Sequence, residues 1–234
     1  MKITFNFNSI KSKLSDLKKR DYAVIISVAL VFVSLVVAVS ILSGIVEKKE
    51  KQAVIVCLDA GHGGEDVGAI SADGKRLEKD DNLKLTLKVK DELEKMGIKV
   101  VLTRDSDETV SLEERCKIAN ENNCGLFVSL HRNSAASSAS GIEIWIPSDA
   151  NETELKTANK LVKRLCKTTE VPNRGVKKGY RDSAAQDYYV NANTNMPSML
   201  VELGFISSDV DNKAYDKNLD AMAKEIAEVI YDSL

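Results

Sequence analysis

The chain contains only two histidines, and both sit at the ends of similar runs. His62 stands in Asp-Ala-Gly-His-Gly-Gly after the apolar stretch 54–58, and His131 closes Gly-Leu-Phe-Val-Ser-Leu-His. A short β-branched apolar run reads as a buried strand, and in an open α/β sheet ligands bind beyond the carboxyl ends of strands. Two imidazoles with one carboxylate make a good zinc set, because Zn²⁺ takes nitrogen and oxygen ligands tetrahedrally and a catalytic site leaves one place to water. Two acids are candidates for the carboxylate. Glu78 lies where the glycine loop after the first strand turns into a helix, and Glu202 lies in Leu-Val-Glu-Leu-Gly among core residues. Burial disfavours the charged carboxylate and raises its pKa towards the working range of a general base or acid. Glu78 is therefore assigned to the metal and Glu202 to proton transfer. Each residue also has a structural reading: a satisfied strand-end histidine, a core acid bonded to backbone, or a solvated helix start whose acids favour the dipole.

The elements that must position these groups are legible in the pattern of apolar residues. Strands are expected at 53–58, 98–103, 125–131 and 199–203, with a further strand at 142–146 whose alternation predicts one wet face. Helices are expected at 80–96, at 111–123 behind the capping box Ser111-Leu-Glu-Glu114, at 151–167 and at 219–234. Gly61, Gly63 and Gly64 permit backbone angles closed to other residues and close approach of a ligand beside His62. Residues 132–140 are small and polar and read as a loop, and 171–195 reads as irregular, polar and tyrosine-containing. Alternating strands and helices predict an α/β fold, a mainly parallel sheet flanked by helices.

The 234 residues suffice for one well-buried domain and an appendage. Residues 23–46 carry no charge and are long enough to cross a bilayer core of about 30 Å. The preceding residues 1–22 hold a basic cluster, which the positive-inside rule keeps cytoplasmic. The expected organisation is thus a basic N-terminus at 1–22, an uncleaved transmembrane signal anchor at 23–46, a charged linker at 47–52 and an extracytoplasmic domain at 53–234. A cleaved signal peptide is the competing reading, with Ala38-Val39-Ser40 offering small residues, although its apolar region is normally shorter. From residue 52 onward there are 24 basic against 31 acidic side chains, which argues against a nucleic-acid partner. Cys57, Cys116, Cys124 and Cys166 lack CxxC spacing and are expected to be free thiols.

Four motifs, Asp59-Ala-Gly-His62-Gly-Gly, Glu78-Lys-Asp-Asp-Asn-Leu83, Ser129-Leu-His131-Arg-Asn-Ser134 and Met196-Pro-Ser-Met-Leu-Val-Glu202-Leu-Gly-Phe-Ile-Ser207, resemble the zinc-dependent N-acetylmuramoyl-L-alanine amidases of bacterial cell walls. The resemblance covers about residues 52–234 and implies zinc ligation by His62, Glu78 and His131, catalysis by Glu202, and peptidoglycan as substrate. Asp59 and Asn133 are candidates to orient the ligands, with capping of the glycine turn as the equal alternative for Asp59. Arg132 departs from the small or uncharged residue usual in the family at that place, implying altered substrate fit or a cation near the metal. The compact length and single span look most like the germination-specific branch of endospore formers, implying action in the cortex space on the way to muramic lactam. An accessory protein or a homodimer is a further expectation. The alternatives are a catalytically weak amidase-fold module that binds peptidoglycan or a partner protein, a zinc carboxypeptidase, and an anchor that itself holds a partner through Ser27, Ser34, Ser40 and Ser43.

Overall fold

The computed structural model describes residues 19–135, 139–181 and 186–234. Most of the expected basic N-terminus (1–18) and the centre of the expected small-residue loop (136–138) lie outside the described residues. The chain divides into two compact units, Met1–Glu50 and Lys51–Leu234.

Helix α1 (Lys19–Ala53) includes the uncharged run, and its stretch from Asp21 is long and apolar enough to cross a membrane. The residues expected as a linker, 47–52, are helical. The hydroxyls of Ser27, Ser34, Ser40 and Ser43 donate to carbonyls three or four residues earlier in the same helix.

The second unit is a six-stranded sheet with helices on both faces. Its elements are β1 (Ile55–Ala60), α2 (Glu78–Lys95), β2 (Lys99–Leu102), α3 (Leu112–Glu121), β3 (Leu126–Asn133), β4 (Ile142–Ile146), α4 (Glu152–Thr169), β5 (Asn173–Lys178), α5 (Tyr189–Asn193), β6 (Ser198–Phe205) and α6 (Asp209–Ser233). The strand order is β2-β1-β3-β6-β4-β5. All neighbours run parallel except β4 and β6, so the sheet is mixed but mainly parallel, as the alternation predicted.

Strands covered on both faces need apolar side chains on both, which is why β1, β3 and β6 read as near-continuous apolar runs. One face packs Val56, Leu58, Val128, Leu130, Ile144 and Val201 against Leu85 and Val89 of α2, Leu161 and Leu165 of α4, and Ile226 and Ile230 of α6. The other face carries a smaller cluster in which Cys57, Phe127, Trp145 and Leu200 meet Cys116 and Ala119 of α3 and Val190 of α5. Side chains two apart in a strand share a face. Ser129 and His131 therefore follow Phe127, and Glu202 follows Leu200, onto the thinly covered side.

Three expectations are corrected. Strand β4 has no wet face: Glu143 and Trp145, the polar-looking alternates, are 2% and 5% exposed. The stretch 171–195 is not wholly irregular, since it contains β5 and α5. The expected helix 219–234 is present but is preceded by a further helical segment: α6 begins at Asp209, where Ser208 accepts from the Asp211 amide, and is interrupted by a kink at Asn218, after which the expected helix follows. The capping box expected at Ser111 is incomplete, since Ser111 accepts from the Glu114 amide without a reciprocal bond, whereas Asn151 closes a full box with Glu154.

Candidate metal centre and active site

His62 follows β1 by two residues and adopts φ 61°, a left-handed conformation uncommon for any residue but glycine. Several contacts hold it there. Its Nδ1 lies 2.8 Å from Asp66 Oδ2, and its carbonyl accepts from Arg115 Nη2 at 2.8 Å. Arg115 also binds the Ala60 carbonyl and the buried carboxylate of Asp59, which in turn accepts from Ser129 and Thr103. Asp59 thus orients His62 through Arg115 rather than by touching it. Arg104 adds bonds to the carbonyls of Ala60, Gly61 and Lys79.

Glu78 opens α2 and is 3% exposed. Its Oε1 lies 2.8 Å from His131 Nδ1 and 3.3 Å from His62 Nε2, so both imidazoles converge on one oxygen. The Arg132 amide donates to Oε1 at 3.0 Å, and the Ala69 amide donates to Oε2 at 2.9 Å. The two rings meet edge to face with centroids 4.9 Å apart. Ligand atoms of His62, Glu78 and His131 all lie within 4.8 Å of one another, so the donor set fits a metal ion in both chemistry and spacing. Burial pushes the Glu78 carboxyl up, but the hydrogen bonds from His131 and His62 outweigh it and hold it well below the usual carboxylate range. Burial lowers His62, and the bonds from Glu78 and Asp66 reverse this, raising it to about 9.

Glu202 is the register partner of His131 across the β3–β6 pair. It is 6% exposed, and its Oε2 has no hydrogen-bond partner among the described residues. Burial, with Glu78 and Glu143 adding repulsion and His131 opposing, raises its carboxyl to about 7. A buried carboxyl with one oxygen unpaired among the described residues, raised to about 7 beside a donor trio, is equipped to take and return a proton.

All four residues line one groove of about 720 Å³, together with Tyr180, Arg181, Tyr188 and Asn133. Both readings of Arg132 are corrected: its side chain is fully buried, and its guanidinium binds Asp81 and Asn212 over the Tyr215 ring instead of reaching substrate or metal. Asn133 touches no candidate ligand and instead joins Arg181 to Glu143. Glu143 and Arg181 escaped the sequence reading. The first is masked by strand alternation and the second by the polar stretch at 171–195.

The glycines make room for protein groups. A Cβ on Gly61 would stand 2.2 Å from the His131 ring, and one on Gly68 would stand 2.6 Å from the His62 ring and 2.8 Å from Glu78.

A mainly parallel α/β sheet that brings two imidazoles and a carboxylate together beside a buried acid fits a hydrolase with a candidate metal site. The chain belongs to the N-acetylmuramoyl-L-alanine amidase family, whose model matches residues 56–234. It is 42% identical over 159 residues to the uncharacterized protein YqiI of Bacillus subtilis, covering 67% of this chain and 73% of that one. It is 35% identical over 174 residues to the probable cell wall amidase LytH of Staphylococcus epidermidis, 74% of this chain but only 55% of the longer relative. The germination-specific N-acetylmuramoyl-L-alanine amidase of B. subtilis is 31% identical over 169 residues, 66% and 68% of the two chains. Among solved structures, the CwlD amidase from Clostridioides difficile in complex with the GerS lipoprotein superposes with TM-score 0.63 and 30% identity over 77% of this chain and 95% of that one.

Proposed function

We propose that the chain is a zinc-dependent hydrolase of the amide joining the lactyl carboxyl of N-acetylmuramic acid to L-alanine in peptidoglycan. The observation that carries this reading is the convergence of His62, Glu78 and His131 within 4.8 Å in the groove that also holds the buried carboxyl of Glu202 with its unpaired Oε2. His62, Glu78 and His131 are the zinc ligands. Zinc bound there supplies Lewis acidity for the scissile carbonyl and the attacking water. Glu202 receives the proton of that water and returns it to the departing alanine nitrogen. Glu78 remains ionised throughout, and the Arg132 and Ala69 amides fix its two oxygens.

Helix α1 is the signal anchor, with the domain beyond it facing the wall. In a spore former we assign the enzyme to cortex maturation, ahead of muramic lactam formation, on the strength of the germination-specific relative. LytH, described as a probable cell wall amidase, makes the wall of growing cells the competing setting, and muramic lactam content of spores lacking the gene separates the two. The complex of CwlD with a lipoprotein supports an accessory protein that raises turnover by this chain without being required for it.

The test is zinc content and product mass on purified full-length protein in detergent. The expected products from peptidoglycan are peptides with a free L-alanine amino terminus, one zinc per chain is expected, and none of these products from Glu202→Gln or His131→Ala. Peptide release by metal-free Glu202→Gln protein, or peptides shortened from their carboxyl ends, would overturn the reading.

A further inference from the structure

The groove is lined by the acids Asp59, Asp66, Glu78 and Glu202, and its cations are unevenly placed. Arg115 and Arg132 are 3% and 1% exposed, with their guanidinium groups committed to Asp59 and Asp81. Among the described residues, Arg181 is the one lysine or arginine lining the groove with an exposed side chain.

That side chain is held in place from below. Arg181 Nη2 donates to Asn133 Oδ1 at 2.7 Å, and Asn133 Nδ2 donates to Glu143 Oε1 at 3.1 Å. Glu143 is fixed in turn by Arg174 at 2.8 Å, Lys177 at 2.7 Å and the Trp145 indole at 3.1 Å. The preceding residue is braced by an aromatic ladder, Tyr180 on Tyr188 at 4.8 Å and Tyr188 on Trp145 at 5.5 Å between ring centroids. An exposed arginine ordinarily loses rotamer entropy when it grips a ligand; one already positioned loses less. Its charge also reaches the reaction centre, lowering the Glu202 carboxyl against the effect of burial.

Resting on the reaction proposed above, the chemistry of the substrate says what such a cation meets. The N-acetylated glycan is uncharged, and the lactyl carboxyl of muramic acid is tied up in the scissile amide. Negative charge begins on the peptide side, where the residue after alanine is a γ-linked D-glutamate whose α-carboxyl is either free or amidated. A guanidinium pairs with a carboxylate through parallel charge-assisted hydrogen bonds, which a neutral carboxamide does not reproduce. We propose that Arg181 marks the peptide side of the groove and selects stem peptides with a free α-carboxylate over amidated ones. Asn133 and Glu143 are the positioning residues behind it.

The experiment uses full-length protein and two matched substrates, N-acetylmuramoyl-L-alanyl-D-glutamate with its γ-carboxyl blocked as the N-methylamide, and the α-amide of the same compound, so that the two differ at the α-carboxyl alone. The expected wild-type preference for the acid is roughly tenfold or more in kcat/KM, carried mainly by KM, as for one charge-assisted contact. Arg181→Gln should collapse that preference to about twofold or less, and Arg181→Lys should keep part of it. Calorimetric binding of L-alanyl-D-glutamate γ-N-methylamide and of its α-amide to Glu202→Gln protein, with and without Arg181→Gln, reads the same selectivity without turnover. If neither substrate is cleaved, the amidase reading fails while binding still decides the role of Arg181. Equal handling of acid and amide by the wild-type protein, or equal losses on both in Arg181→Gln, would overturn the proposal.

Discussion

Glu202 is the residue where burial and chemistry bear most directly on each other. Its folded carboxyl titrates at about 7 against 4.5 as its ordinary value, because burial penalises the charged form. A raised acid binds more protons in the folded than in the unfolded state between those two values. Its contribution to stability is therefore retained below about pH 4.5, falls as pH rises through about 7, and is flat above. The shift sets a ceiling of about 3 kcal/mol on that loss. Metal-free Glu202→Gln protein should match the wild type near pH 4.5 and exceed it by up to that amount at pH 8, read from denaturant unfolding at the two pH values. A wild type as stable as the variant at pH 8 would mean that the carboxyl is not desolvated. The sequence disclosed this acid because core residues flank it on both sides. It did not disclose Arg181, whose importance comes from Asn133 and Glu143 on two other strands, a relation that no local pattern encodes.

The strand-to-helix connection after β1 belongs to the scale of elements. Its glycines were legible as a site but not in their use: Gly61 gives space to a ring arriving on β3, seventy residues later. Gly61→Ala should displace the His131 imidazole and weaken zinc binding roughly ten- to a hundredfold, as expected when the support of a ligand is disturbed. Competition with a chromophoric chelator measures this, and an unchanged far-UV spectrum shows that the sheet persists. Unaltered affinity would mean that the ring has another place to go. The expected strands agree with β1, β2, β3 and β6 to within two residues at either end, because burial on both faces writes itself into the sequence as a continuous apolar run. The misreadings fall where polar residues are structural. Asn-Arg-Gly-Val-Lys-Lys forms the edge strand β5, and Arg174 and Lys177 from it neutralise Glu143, so the apparent wet side of β4 is buried beneath an ionic cluster. The early turns of α6 were missed because their residues are mostly polar, although Ser208 with Asp209 and Asp211 was a readable start signal.

Across the whole molecule, both hydrophobic clusters draw only on residues from 55 onward, and the catalytic candidates all lie in the second unit. In α1, by contrast, residues such as Val31, Phe32 and Leu42 are 67%, 65% and 61% exposed. A contiguous apolar surface of that kind drives association in water and is content in a bilayer. The two units therefore ask for different solvents, and stability of the second should not depend on the first. A chain beginning at Lys51 should be monodisperse without detergent, unfold within about 2 °C of the full chain measured in mild detergent, and bind zinc equally well. The 2 °C window matters because about 1 kcal/mol shifts the midpoint of a domain this size by roughly 2–4 °C. A larger fall would show that residues 1–50 contribute packing energy to the second unit.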